Sequence, residues 1–257
     1  MESLVFSKNR PAQLELYIRS HKRFWGEPMR VLYKADREYE PGYEKVMNMY
    51  PDVVFEKETN FRKQVIGNLR GEYTVYFCDD DVMIRPFSEK MREFKKFASS
   101  PDILCLSLRM ARNYDYCFDS DQKVEIPKFK NGVWEWYKYP LDWGYPMSVL
   151  GNIFRTEDIK PLIERLNFSS PNTFEGQMAA NPLPMLYMIG FKHARNINLP
   201  QNLVQTEAMD NRAGDTSIKE LNDKFMDGYI IDLNDVIKKT KKARSCFTII
   251  NFKWRKL

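Results

Sequence analysis

The first eighty residues alternate strand and helix without a break, and this limits the chain more than any other feature. SLVFS (3–7) reads as a short buried strand, stopped by Asn9-Arg10-Pro11. Pro11 suits the first turn of a helix, and QLELYIRSHKRFW (13–25) carries Leu14, Leu16, Tyr17, Ile18 and Phe24 on a helical stripe. MRVLYK (29–34) is a second strand, 39–50 a second helix ended by Pro51, and DVVFEK (52–57) a third strand. NFRKQVIGNLR (60–70) reads as a helix opened by Asn60 as N-cap. YTVYFC (73–78) is a continuous β-rich run, the sign of a strand covered on both faces. The rhythm predicts an α/β fold: a mostly parallel sheet flanked by helices. Ligands of such sheets sit outside the carboxyl ends of the strands. The positions of interest are therefore Ser7 to Arg10, Asp36, Glu56 to Glu58 and Asp79 to Asp81.

Beyond residue 87 the rhythm changes. Residues 87–98 read as a helix and DILCLSL (102–108) as a strand. Residues 109–145 hold no clear helix. VEIPKF and GVWEWYKY flank Lys130-Asn131-Gly132, which reads as a hairpin turn, giving a smaller antiparallel portion. MSVLGNIF looks like a strand that leads into TEDIKPLIERL, a helix with Thr156 as its expected N-cap. A further helix is expected near 173–180, after Pro171-Asn172-Thr173, and another over 218–227.

Length and charge narrow the function classes. With 257 residues, 43% hydrophobic and 29% charged, the chain is long enough for one large domain with a sizeable core. No apolar run approaches the ~18–20 residues that span a bilayer. The start, MESLVFSKNRPAQ, lacks a signal-peptide core, so a cytoplasmic location is the expectation. Cys78, Cys105, Cys117 and Cys246 show no metal-ligand spacing, which argues against a zinc site and against a disulfide framework. The net charge of +5 belongs to one segment: residues 238–257 carry eight basic residues and no acid, which leaves the other 237 at −3. A duplex nucleic-acid surface is not expected.

Asp79-Asp80-Asp81 follows the most strongly β-rich run in the chain. Three adjacent carboxylates repel one another unless a cation or donors offset them. Hard cations such as Mn2+ and Mg2+ take one or two carboxylates together with substrate phosphate oxygens. A solvated acidic turn is the plainer alternative; the position after a buried strand favours a metal–diphosphate site.

YTVYFCDDDVMIRPF resembles the DxD segment of small inverting glycosyltransferases of the GT-A fold. SLVFSKNRP resembles the first strand and nucleotide-base loop of that family, GNIFRTEDI its strand-to-helix step after the acceptor region, and PNTFEGQMAA its later helix with a carboxylate in the first turn. The resemblance covers roughly residues 3–190. It implies one catalytic domain over 1–200, with a nucleotide-sugar half (1–100) and an acceptor half (101–200), followed by a 201–257 extension with a basic tail. It implies a UDP-sugar donor, a glycan or glycoprotein acceptor, and Mn2+ or Mg2+ as cofactor. Asp79 would contact ribose or support the metal, and Asp81 with Asp80 would hold the cation. Ser7, Arg10 and Asp36 would line the base and ribose pocket, and Lys63 would reach base or phosphate. Two departures stand out: the family's Glu-Asp pair is here Glu175-Gly176, and the only histidines, His21 and His193, offer no counterpart to a C-terminal ligand His.

Seven of the seventeen residues 129–145 are aromatic, against 14% for the whole chain, which marks this stretch as a candidate sugar platform. Trp143 and Tyr145 are the expected acceptor contacts. An inverting transfer needs a base for the acceptor hydroxyl. Glu175 and Asp142 are the candidates, with Glu175 favoured by the resemblance. Arg212 and QTEAMDNRAG (205–214) read as a loop able to close over the donor. The basic tail reads either as a peripheral contact with an anionic membrane or as an edge strand, CFTIINF, with solvated flanks. Two other classes stay open: a nucleotidyltransferase, against which the Gly-free SKNRPAQ loop counts, and a non-catalytic carbohydrate-binding protein.

Overall fold

The computed structural model describes residues 1–204 and 211–257. The elements run β1 (Glu2–Lys8), α1 (Pro11–Phe24), β2 (Met29–Lys34), α2 (Glu40–Met49), β3 (Val54–Lys57), α3 (Phe61–Gly67), β4 (Tyr73–Cys78), β5 (Asp81–Met83), α4 (Arg92–Ala98) and β6 (Ile103–Ala111). They continue with β7 (Tyr116–Cys117), β8 (Gln122–Lys123), β9 (Val133–Glu135), β10 (Asn152–Arg155), α5 (Thr156–Arg165), α6 (Pro171–Ala180), β11 (Tyr187–Phe191) and β12 (Asn196–Asn198). The last are α7 (Ile218–Met226), β13 (Tyr229–Ile231), α8 (Leu233–Thr240) and β14 (Trp254–Lys256).

The main sheet has the order β3-β2-β1-β4-β10-β6-β11-β9. The first four strands are parallel, as the alternating rhythm predicts. Burial explains why β4 reads as a continuous apolar run. Val75 and Phe77 point into one hydrophobic cluster, and Tyr76 points into the other, on the opposite face. Pro11 is the first residue of α1, and the Asn60 side chain caps α3 by accepting from Lys63 N at 3.0 Å.

The second half departs from expectation in detail. The strand expected over MSVLGNIF is confined to Asn152–Arg155, and it lies antiparallel between β4 and β6. Thr156 is the first helical residue of α5, not its cap, and its hydroxyl shares a 2.7 Å hydrogen bond with Thr74 on β4. Asn131 and Gly132 both adopt positive φ (54° and 87°), the geometry of a two-residue hairpin turn. A Cβ at Gly132 would lie 2.9 Å from the Gly190 carbonyl, so glycine is required there. Beyond the turn only Val133–Glu135 is strand; it pairs with β11, and toward the preceding segment it makes only the Lys130–Val133 bridge across the turn. CFTIINF is not a strand; the terminal strand is Trp254–Lys256, antiparallel to β13. Among the described residues no helix is long and apolar enough to cross a membrane.

Two features place the site. Asn9 takes φ 58° at the end of β1, a conformation asparagine tolerates, and its side chain grips Asp36 through both amide atoms. The chain thereby turns Arg10 back over the strand ends. β5 pairs antiparallel with β12, setting Asn198 opposite Asp81.

Candidate active site

A cavity of about 480 Å³ opens at the carboxyl ends of β1, β4 and β6. Of the residues expected at a site, Ser7, Arg10, Asp79, Asp80, Asp142, Tyr145, Glu175 and Arg212 all line it.

Asp79 is 2% exposed and fully engaged. Its Oδ2 accepts from Ser7 Oγ at 2.9 Å and from Lys8 N at 3.0 Å; its Oδ1 accepts from Arg10 Nη1 at 3.0 Å. Ser7 Oγ also lies 2.7 Å from the hydroxyl of Tyr43, which accepts from Arg10 N. Burial pushes Asp79 up to about 6, although Arg10 pulls it down. Asp80 accepts from Arg10 Nη1 at 3.0 Å on one oxygen and from Asn198 Nδ2 at 2.7 Å on the other.

Asp81 does not join them. It is completely buried, and it is not part of the cavity wall. Oδ2 accepts from Cys78 N, and Oδ1 accepts from Asn196 Nδ2 at 2.8 Å and Asn198 Nδ2 at 3.3 Å. Burial, with the Asp80 charge behind it, raises its carboxyl to about 8. The expectation that Asp81 presents a metal ligand is therefore corrected: its carboxylate fastens β5 to β12. Three further corrections follow from position. Trp143 is 1% exposed, donates its indole N–H to Tyr114 O at 3.1 Å, and packs edge-on against Trp134 and Phe129; it belongs to the core. Lys63 is exposed on α3, outside the cavity wall. Asp36 is also exposed and outside that wall, where it holds Asn9.

Glu175, in the second turn of α6 rather than the first, accepts from Val149 N at 3.0 Å through Oε1. Burial raises its carboxyl, and the Val149 amide, Ser148 and Arg109 only partly offset that. Asp142 is differently placed. Its Oδ1 accepts from the buried Arg109 at 2.9 Å and from Cys246 Sγ at 3.3 Å. The bond to a buried guanidinium fixes the orientation of the Asp142 carboxyl group, whereas Glu175 has no cation within bonding distance among the described residues. Arg212 donates to Phe118 O at 2.6 Å and lies 3.2 Å from Asp121. Residues 205–210 of the expected closing loop lie outside the described residues.

Sequence reasoning passed over Arg109, Asn198 and Asn202, all in the cavity wall. Arg109 immediately follows the predicted strand 102–108, so the strand-end rule applied there would have found it. Lys8, the last residue of β1, also lines the cavity and lies within the stretch Ser7 to Arg10 that the strand-end rule marks. Asn198 carries no local signal because β12 is three residues long, and Asn202 lies outside any strand or helix.

No protein-family model matches the chain. In sequence it is similar to the bifunctional glycosyltransferase pgtA of Dictyostelium discoideum, 25% identical over 209 residues, which cover 67% of this chain and 27% of that protein. The chain thus spans about a quarter of that relative's length. Among solved structures it is similar to S. aureus TarS 1–349 in complex with UDP (13% identity, TM-score 0.44, 74% of this chain and 61% of that one). It is also similar to mouse xyloside xylosyltransferase 1 in its apo form (10% identity, TM-score 0.33, 98% and 86%). At these scores the structural likenesses are distant. The sequence relative, a glycosyltransferase by name, agrees with the resemblance carried by the acidic segment: the chain is similar to glycosyltransferases, and its fold is a mostly parallel α/β sheet flanked by helices.

Proposed function

We propose that this chain is a glycosyltransferase that moves a sugar from a nucleotide-sugar donor, a UDP-sugar, to a hydroxyl group of a glycan acceptor, with inversion at the anomeric carbon. The observation that carries the reading is one cavity at the sheet's carboxyl end lined by Asp79 and Asp80, by Arg10, and by a carboxyl at Glu175 raised above its ordinary range.

Asp79 and Asp80 each direct one oxygen at the same point, Arg10 Nη1. Two hard oxygens of this kind suit Mg2+ or Mn2+, with the coordination completed by phosphate oxygens of the donor. Among the described residues no group of three or more His, Cys, Asp or Glu is arranged as metal ligands; in this reading Asp79 and Asp80 are the protein's ligands. A bound cation would supply charge against the leaving diphosphate. Ser7 and Lys8 N fix Asp79. Glu175 takes the proton from the acceptor hydroxyl as its oxygen bonds to C1 of the donor sugar, and the C1–O bond to the diphosphate breaks. A raised carboxyl value suits that work, because it brings the base nearer to neutral pH. Tyr145 offers a half-buried ring edge to the acceptor. In this reading the enzyme works in the cytoplasm, and its basic tail is the segment that an anionic membrane surface would attract.

The test is a panel of nucleotide-sugars with Mn2+, scored by nucleotide release with and without acceptor glycans. A UDP-sugar turned over faster than the rest supports the reading. Pyrophosphate release from a nucleoside triphosphate and a sugar phosphate, with no transfer, would instead favour nucleotidyl transfer and overturn it.

A further inference from the structure

Arg10 stands between Asp79 and Asp80, in the position of a shared cation. Its Nη1 is 3.0 Å from Asp79 Oδ1 and 3.0 Å from Asp80 Oδ2. The rest of the guanidinium is anchored elsewhere. Nε donates to Asn202 Oδ1 at 2.7 Å, and Nη2 donates to the Asn202 carbonyl. Asn202 in turn donates to Thr216 O at 3.1 Å. The side chain is 6% exposed, so a planar fork with fixed directions is held in a buried setting.

Divalent ions bind carboxylate oxygens at about 2.0–2.6 Å. An ion held by these two oxygens at that distance, on the side where Nη1 sits, would overlap it, and both species are positive. They cannot share the place. The second carboxylate oxygens are already taken: Asp79 by Ser7 and Lys8 N, and Asp80 by Asn198. Neither carboxylate can therefore serve both cations by rotating.

We propose that Arg10 is a resident counter-cation, which a divalent ion displaces from Asp79 and Asp80, and whose freed guanidinium then pairs with the diphosphate. The pairing rests on the nucleotide-sugar reading; the exchange at the two carboxylates does not. The free protein keeps its two cavity carboxylates neutralised without metal. The ion alone binds weakly, because it must expel an anchored guanidinium. Ion and diphosphate together bind well, because the diphosphate offers the guanidinium a new bidentate partner.

A residue that merely braced the fold would weaken every ligand when removed. Exchange predicts opposite signs. The full chain is titrated with Mn2+ alone, following the free-ion paramagnetic resonance signal, and then with UDP at saturating Mn2+ by calorimetry. Arg10→Met should bind Mn2+ alone at least tenfold tighter and UDP at least tenfold more weakly than the wild type. Asn202→Ala keeps the Arg10 charge and loosens only its anchor, so it too should bind Mn2+ alone more tightly. It also serves if Arg10→Met fails to fold. Mn2+ affinity that is unchanged or reduced in folded Asn202→Ala would overturn the exchange, as would an absence of Mn2+ binding to any of the proteins. Tighter Mn2+ in both variants with no UDP binding to any protein supports the exchange and overturns the pairing and the nucleotide-sugar reading.

Discussion

Replacing Asp142 separates two jobs that the sequence alone leaves to either carboxylate. In the structure Asp142 is the partner of a buried arginine: Arg109 is 2% exposed, Asp142 13%, and Nη1 lies 2.9 Å from Oδ1. Two unit charges about 4 Å apart attract by ~4 kcal/mol at an effective dielectric near 20. Removing one member of such a pair strands the other, at a typical cost of about 3–5 kcal/mol. Asp142→Ala should therefore lower the unfolding free energy by about that amount. Asp142→Asn leaves an oxygen for Arg109, and the loss should be ~1–3 kcal/mol. The double change Arg109→Met with Asp142→Leu should cost clearly less than the two single changes added together. Urea unfolding with an unchanged slope measures all three. In the same preparations folded Asp142→Asn should keep its turnover within about tenfold. Glu175→Gln, whose amide oxygen can still accept from Val149 N, should stay within ~1 kcal/mol of wild-type stability and lose about 10²–10⁴ in turnover, the usual contribution of a general base. The reasoning fails if Asp142→Ala unfolds at wild-type denaturant concentration, or if Asp142→Asn loses turnover as deeply as Glu175→Gln.

Four further outcomes are expected. Turnover should rise with pH along a limb above the ordinary carboxylate range, since Glu175 acts only when ionised and burial raises its pKa; a limb at or below ~4.3 in a saturating pH–rate series would contradict this. Trp143→Phe should lower stability by about 1–3 kcal/mol, since the buried Tyr114 carbonyl loses its donor, and should leave the acceptor KM within twofold. Asp81→Ala should lower the melting temperature in metal-free buffer, because the Cys78, Asn196 and Asn198 donors lose their acceptor; a chain that melts like the wild type there would return Asp81 to the solvated turn. His21 is completely buried, and burial, with Lys22 adding to it, lowers it to about 3. Its neutral form is the one that folds, so its contribution is full above ~6.5 and is lost as pH falls toward 3, at up to about 1.4 kcal/mol per unit. His21→Leu should flatten the fall in unfolding free energy measured across that window.

The parallel half is legible in the sequence because its determinants are local. Pro11, Asn60 and the unbroken apolar run of β4 act within a few residues of themselves, and the strand-end rule then points to the acidic turn. The antiparallel insertion of β10 is a different matter. It is four residues long and lies between partners distant in sequence, so no period marks its direction. The aromatic stretch misleads for a related reason. Trp143 has the composition of a sugar platform, yet its neighbours Trp134 and Phe129 close over it from outside its own turn. Arg10 and Asn202 meet across 192 residues, a pairing that neither segment announces. The acidic triplet holds the sharper lesson, because its third residue takes its place from a strand partner distant in sequence. Asp81 opens β5 and takes its register from β12, whereas Asp79 and Asp80 lie in the turn between β4 and β5 and face the cavity. A cation at this turn can draw on Asp80 and, from the end of β4, on Asp79, while Asp81 must find donors inside the protein; Asn196 and Asn198 supply them.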